Sequence, residues 1–309
     1  MPTAVSLFSG CGGSDFGLHK AGFDILMAND IMPYAAEVYR ANLPDADFKL
    51  CSVTDIEKFP KADLLVGCYP CQGFSQGGAR DPGRNINYLY REFDRALRAI
   101  KPKAFIVENV SGMKRADFAH LLQNQVTRFR FSGYSVKWRI LNAADYGVAQ
   151  ERYRILIVGI KTSIGAEFDF PPPKYGVSSK KPYKTQKDVI SDLPLWPEGE
   201  FCDDPFHWYY LSRDRRRSWD EPSKTIVSGM RHMPLHPSSP KLIKIAADKW
   251  KFEDDQPARR LSYREAALLQ GFGKRFKFPD TVPLSVKYKV IGNAVPPPLF
   301  QSVVEAIPD

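Results

Sequence analysis

No apolar run in this 309-residue chain approaches the length needed to cross a bilayer. The longest, such as ILIVGI (155–160), has the length of a buried strand. Cysteine is scarce, with five residues and an odd count, and the chain opens without a secretion signal. A disulfide framework is therefore not expected, and a reducing cytosol is. The five histidines are scattered and there is no second C-x-x-C, so a zinc site lacks ligands and no metal is expected. Internal repeats and low-complexity tracts are absent as well. Negative charge is in deficit: 44 Lys and Arg face 35 Asp and Glu, for a net charge of +9 and a pI near 9.2. That balance favours a polyanionic partner, most simply nucleic acid, although a basic housekeeping enzyme has the same arithmetic.

What is present is ample material for a core: 43% of the residues are hydrophobic, enough for one large domain or two. The first half alternates short apolar runs with helix-like stretches. AVSLF (4–8), FDILMA (23–28), ADLLV (62–66), KAFIVE (103–108), YSVKWRIL (134–141) and YRILIVGI (153–160) read as buried strands. Between them Leu89, Phe93, Leu97 and Ile100 recur at helical spacing, as do Phe118, Leu121, Leu122 and Val126. Such alternation predicts an α/β fold with a mostly parallel sheet covered by helices. After Ile160 the character changes. FPPPKYGVSSKKPYK (170–184) is rich in Pro, Ser and Lys, and the chain stays polar, aromatic and basic to about Arg260. This predicts a smaller, irregular second domain over 161–287. A helix is expected at SYREAALLQGF (262–272). The apolar tail VIGNAVPPPLFQSVVEAI (290–307) is expected to return to the sheet, which makes the first domain discontinuous, 1–160 with 288–309.

The first strand ends in SGCGGSDFGL (9–18), a Gly-rich turn leading into a helix, which is a nucleotide-type binding element. The dinucleotide fingerprint G-x-G-x-x-G is not met, because Asp15 stands at the third glycine position. A turn of Gly10, Gly12 and Gly13 leaves backbone room for a small cofactor without a pyrophosphate. Asp30 closes the next strand, where an acid meets ribose hydroxyls, and so points to an adenosine-containing ligand.

The stretch GCYPCQGFS (67–75) places Cys68 and Cys71 three apart at a strand's end. Read alone it divides evenly between a thioredoxin-type dithiol and a single thiolate nucleophile at Cys71, with Cys68 a small core residue. Two further motifs bear on the choice. ENV (108–110) puts Glu108 at a strand's carboxyl end, beside the Cys71 loop in any parallel sheet, and QERYR (150–154) supplies Arg152 and Arg154 at alternate positions. Each alone reads as a surface salt bridge.

Taken in order, LFSGCGG (7–13), ND (29–30), PCQGFS (70–75), ENV (108–110), QERYR (150–154), REAALLQGF (264–272) and IGNAVPPPL (291–299) resemble the motifs of the DNA (cytosine-5) methyltransferases over nearly the whole chain. The resemblance implies a Rossmann-like sheet domain that binds S-adenosylmethionine and releases S-adenosylhomocysteine. It also implies a smaller target-recognition domain and a flipped cytosine in double-stranded DNA as substrate. It implies cofactor contacts from Phe8, Gly10, Gly12, Gly13, Asp30, Ile31, Ser52, Val53, Pro70, Asn293 and Val295. Cys71 would be the nucleophile, with Glu108, Arg152 and Arg154 at the target base, and Gln72 and Ser75 on a DNA-contacting loop. The sequence departs from the pattern at Ser52, where an acid usually meets the adenine, and at Tyr69, Ala149 and Val290.

These residue types suit the chemistry. A thiolate adding to C6 of cytosine pushes electrons into C5, a poor nucleophile otherwise. Glu108 can share a proton with N3, Arg154 can hold O2, and Arg152 can fix the neighbouring phosphate and favour the Cys71 thiolate. The base must leave the stack, and SQGGARDPGRN (75–85) has the composition of an extruding loop. In the second domain SRDRRRSW (212–219) clusters Arg213, Arg215, Arg216 and Arg217. Arg213, Arg215 and Arg231 are expected at guanine edges and Thr225 at the DNA backbone, with Arg216 and Arg217 at phosphate or solvent. This region also resembles methylases of GGCC-type sites. The expected enzyme is a monomeric, cytoplasmic, nucleoid-associated methylase of restriction–modification type, acting apart from any cognate endonuclease. The alternatives are an RNA cytosine-5 methyltransferase of the same fold and a catalytically silent DNA-binding relative.

Overall fold

The computed structural model describes residues 1–70, 88–114 and 119–308. Cys71, Gln72 and Ser75 lie outside the described residues. The chain divides into two compact units, Met1–Asn142 with Tyr153–Pro172 and Leu299–Asp309, and Ala143–Arg152 with Pro173–Pro298.

The first unit carries a seven-stranded sheet in the order β3-β2-β1-β4-β5-β7-β6. The strands are β1 (Thr3–Leu7), β2 (Asp24–Asp30), β3 (Asp47–Leu50), β4 (Leu64–Gly67), β5 (Ala104–Val110), β6 (Tyr134–Asn142) and β7 (Tyr153–Lys161). The six strands predicted from apolar runs all form. β3 was not legible, because DFKL buries only Phe48 at the sheet's edge. The pairs β1–β2, β2–β3, β1–β4 and β4–β5 are parallel, and β7 runs antiparallel between β5 and β6. β4, β5 and β7 are apolar on both faces because helices or other elements cover both. The core beneath them is aromatic: Phe93, Phe105, Phe129 and Tyr134 pack edge to face at 4.8–5.8 Å.

Strand order reverses between β1 and β4. In an open parallel sheet the crevice at the carboxyl ends of such a pair is where ligands bind. The turns after β1 and β4 hold the glycine motif and the start of the PCQGFS motif.

The second unit has little regular structure: a hairpin of β8 (Leu242–Ala246) and β9 (Lys249–Phe252), and short helices including those at Tyr263–Leu269 and Leu284–Asn293. The helix at Tyr263–Leu269 starts where expected, with a capping box in which Ser262 Oγ accepts from Glu265 N and Ser262 N donates to Glu265. Residues 143–152 and 288–298, which the motif pattern groups with the sheet, belong by contacts to this second unit, and 161–172 to the first. The cause is visible within the second unit, where Ile226 N donates to buried Gln150 Oε1 at 2.8 Å.

Candidate active site

The turn after β1 departs from ordinary backbone geometry. Phe8 lies at φ 60°, Gly10 at φ 55° and Gly12 at φ 91°. A side chain at Gly12 would place Cβ 3.1 Å from both Leu43 and Tyr39, whereas one at Gly10 meets nothing within 4 Å. Gly12 therefore lets helix α1 (Gly13–Lys20) pack on α2 (Pro33–Asn42), and Gly10 keeps a space open.

Beneath the turn, Asp15 is fully buried and accepts from Ser6 Oγ at 2.6 Å, Ser14 Oγ at 2.9 Å and Tyr39 OH at 2.7 Å. Burial pushes its carboxyl above the usual range and the hydroxyl donors pull it back. The residue that breaks the dinucleotide fingerprint is thus the polar anchor of α1. Asp30 accepts from Gly10 N and Met32 N, both at 2.9 Å, so its carboxylate is fixed against the turn. Burial also raises its pKa, and the backbone donors oppose that. Ile31 beside it is 67% exposed. Ser52 Oγ lies 2.7 Å from Thr54 Oγ1 and caps a short turn in which Val53 is buried. The backbone of that turn is held by Arg95, which donates to Val53 O at 2.8 Å and Ile56 O at 2.9 Å.

At the end of β4, Cys68 N donates to Leu7 O at 3.1 Å. Burial pushes the Cys68 thiol well up, the Glu108 carboxylate pushes it further, and a hydrogen bond with Ser14 opposes them. Cys11, which is buried outright, is raised to about 12. Neither is a thiolate at neutral pH. Tyr69, one of the departures from the motif pattern, packs edge-on against Phe8 at 5.9 Å and donates to Gln125 Oε1 at 2.5 Å. It anchors the chain one residue before Pro70. Asn109 Nδ2 reaches Tyr69 O at 3.4 Å, a tie from β5 to the same point that the sequence did not signal.

Glu108 and Arg154 meet at the carboxyl end of β5. Arg154 Nε donates to Glu108 Oε1 at 2.8 Å, with 14% and 10% of the two side chains exposed. Antiparallel register sets this contact, since Val110 pairs with Arg154 and Glu108 with Leu156. Burial lowers Arg154 below its ordinary pKa, and the Glu108 carboxylate opposes that shift.

Arg152 does something else. It is 1% exposed and lies in the second unit, where it donates to Ile226 O at 2.8 Å, Gly292 O at 2.7 Å and Ala294 O at 3.1 Å. The expected place at the base or its phosphate is replaced by a clamp on three carbonyls. Gln150 donates to Gln270 Oε1 at 2.5 Å, and Gln270 to Ala294 O at 2.6 Å. Gly292 is required here: a Cβ would lie 2.3 Å from the Val227 backbone. Three late motifs, QERYR, LLQGF and IGNAV, are thus knitted into one buried polar network. Asn293 beside it is exposed and Val295 buried.

The recognition candidates separate in the same way. Arg215 donates to Tyr210 O at 3.0 Å and His232 O at 3.3 Å, and lies over the Tyr210 ring. Arg216 donates to Ser239 O at 2.8 Å and Pro237 O at 2.9 Å. Arg217 pairs with Glu151 and Glu221. Neither the guanine edge expected for Arg215 nor the phosphate expected for Arg216 and Arg217 describes these contacts. Arg213 and Arg231 remain exposed, and Thr225, also exposed, donates to Glu151 O at 2.7 Å.

Comparison with known proteins agrees on one family. The model for C-5 cytosine-specific DNA methylases matches residues 3–309. The chain is 35% identical to the type II methyltransferase M.BsuRI of Bacillus subtilis over 98% of its own length and 78% of that protein's. It is 36% identical to the type II methyltransferase M.NgoPII of Neisseria gonorrhoeae, covering 98% and 94%. Among solved structures it is similar in fold to the S. pombe Dnmt2 methyltransferase, with a TM-score of 0.69 and 17% identity over 98% of this chain and 97% of that one.

Proposed function

The chain belongs to the C-5 cytosine-specific DNA methylase family and is a DNA cytosine-5 methyltransferase, and on that premise we propose how its residues share the work. The transfer runs from S-adenosylmethionine to C5 of a cytosine flipped out of a short specific duplex sequence, through a covalent adduct between Cys71 and C6. The observation that carries this is the Glu108–Arg154 pair. It lies at the carboxyl end of β5, next in the sheet to β4, whose following residues lead into Cys71.

The residues at the β1–β4 crevice fit the cofactor. The space beside Gly10 has no atom within 4 Å of a built Cβ, and Asp30 is pinned by two backbone donors with lone pairs left for ribose hydroxyls. Phe8, Gly12, Gly13, Ile31, Val53 and Pro70 complete the binding set proposed within this unit. Ser52 offers the adenine a hydroxyl already engaged by Thr54, a weaker partner than a carboxylate. When bound, the cofactor supplies an electrophilic sulfonium methyl, for which an activated C5 is the nucleophile.

The chain's own residues create that activation. Cys71 adds to C6 and moves charge onto the ring. Glu108, oriented by Arg154, shares a proton with N3, and the terminal nitrogens of Arg154 hold O2. Cys68, held protonated, stands aside. Arg152 acts at a distance, by holding the backbone of the second unit. That unit is the proposed target-recognition domain, with Arg213, Arg231 and Thr225 facing DNA and Arg215 bracing them, while Gln72 and Ser75 meet DNA from the Cys71 loop. Among the described residues no helix is long and apolar enough to cross a membrane. We place the enzyme in the cytoplasm with the chromosome, as a monomer serving a restriction–modification system.

A duplex carrying 5-fluorocytosine in place of cytosine tests the adduct. Fluorine at C5 cannot leave as a cation, so the final elimination stops and Cys71 stays bonded to C6. With S-adenosylmethionine the native enzyme should give a denaturant-resistant protein–DNA complex and Cys71→Ser should not. A native enzyme that methylates ordinary duplex DNA but forms no such complex would refute the covalent route.

A further inference from the structure

Arg231 is one of two exposed arginines in the recognition cluster, and one feature distinguishes it: its Nε donates to Asp204 at 2.5 Å. An exposed ion pair ordinarily adds little, because two flexible side chains must be held in one geometry. Here the backbone under both partners is already fixed by a third residue. Arg260, 1% exposed, donates through Nε to Arg231 O at 3.0 Å and through one terminal nitrogen to Asp204 O at 2.6 Å and Cys202 O at 3.1 Å. Its guanidinium lies over Phe206 at 4.3 Å and Tyr210 at 4.8 Å. One buried cation thus joins the segment that carries Asp204 to the segment that carries Arg231.

We propose that Asp204 is a positioning residue for sequence recognition, holding Arg231 by Nε so that its two terminal nitrogens present a fork to a guanine edge. A guanine offers O6 and N7 as paired acceptors, and an arginine whose Nε is occupied still has a terminal donor on each side to meet them. The neighbouring surface is consistent with a base-facing patch. His232 packs edge-on against Tyr209 at 5.4 Å, Arg213 lies over the same Tyr209 ring, and Trp208 is 80% exposed. Arg260 stands behind this surface and sets its spacing.

The proposal rests on the reading of Arg231 as a base reader, and the experiment separates the two. Full-length native enzyme, Arg231→Ala, Asp204→Ala and Asp204→Asn are each given S-adenosylmethionine and a random-sequence duplex library, and 5-methylcytosine is mapped at base resolution. Arg231→Ala should relax discrimination at one base pair on the order of ten-fold. Asp204→Ala should relax the same base pair by a smaller factor, with an unchanged thermal midpoint. Asp204→Asn, whose amide oxygen still accepts from Nε, should recover most of the preference. If Arg231→Ala relaxes the site and Asp204→Ala does not, or relaxes a different base pair, the positioning role fails and the reader stands. Asp204→Asn behaving like Asp204→Ala also overturns it. An unrelaxed Arg231→Ala removes the reader and the proposal together. Should Asp204→Ala not fold, Asp204→Asn carries the test alone, preference kept supporting the role and preference lost overturning it.

Discussion

Arg152→Ala distinguishes a clamp from a substrate contact. The native guanidinium donates to Ile226 O, Gly292 O and Ala294 O, all buried with it in the second unit. Ala294 O keeps a donor in the variant, because Gln270 reaches it at 2.6 Å. Ile226 O and Gly292 O lose the guanidinium, and a buried acceptor left so costs about 1–3 kcal/mol, or about 2–6 kcal/mol for the two. That is a large share of a native stability of about 5–15 kcal/mol. With a urea m-value of about 2 kcal/mol/M for a unit of this size, a loss of about 4 kcal/mol moves the transition down by about 2 M. The assay is urea unfolding followed by tryptophan fluorescence, since Trp196, Trp208, Trp219 and Trp250 all lie in the second unit. Arg152→Lys should fall between, because one ammonium cannot reproduce a planar fork over three carbonyls. A variant that unfolds within about 1 kcal/mol of the native protein while its turnover collapses would refute the clamp and return Arg152 to the base.

The two cysteines of the C-x-x-C motif should behave differently: Cys71→Ser should abolish methyl transfer while DNA binding survives, and Cys68→Ala should keep most activity. Equal inactivation with a reversible Cys68–Cys71 disulfide would restore the dithiol reading. Gly12→Val should lower the thermal midpoint both by strain at φ 91° and by crowding Leu43 and Tyr39, whereas Gly10→Ala, strained at φ 55° but crowding nothing, should lower it less and raise the calorimetric Kd for S-adenosylmethionine. An unchanged Kd at Gly10 would place the cofactor elsewhere. Burial, followed by the Arg259 charge, pushes His236 down to about 3 from 6.5. Between those values the unfolded chain binds the extra proton, so His236 should cost stability as pH falls through that window, by at most about 1.4 kcal/mol per pH unit. His236→Gln should flatten that part of the stability–pH curve, and an identical slope would contradict the buried neutral ring.

How much was legible follows from what each residue touches. β4, β5 and β7 announce themselves because strands buried on both faces need continuous apolar runs, and Glu108 sits at the end of such a run. β3 and the β8–β9 hairpin bury little and leave no such mark. Asp15 looked like a failed glycine in a fingerprint. Its three hydroxyl donors come from Ser6, Ser14 and Tyr39, and the last is 24 residues away, a pairing no local pattern encodes. Arg152 and Arg154 looked equivalent at alternate positions. One turned to a carboxylate on β5 and the other to carbonyls up to 142 residues distant.

The same distinction revises the meaning of the positive charge. A sheet domain satisfies its carbonyls by strand pairing, but the second unit has one short hairpin and long irregular segments. Its buried carbonyls need donors from side chains, and arginine brings five N–H groups on one rigid plane. Arg152, Arg215, Arg216, Arg259 and Arg260 all donate to backbone carbonyls within that unit. Arg259 additionally forms a bidentate pair with Glu265 at 2.7 and 2.8 Å, which offsets the burial of both charges. The arginines of this unit therefore divide into those that build an irregular domain from within and those that the fold leaves at the surface. Sequence counts both alike. In a basic cluster such as SRDRRRSW, Arg215 and Arg216 are spent in part on the domain's own carbonyls, and Arg213 is the arginine that the fold leaves exposed.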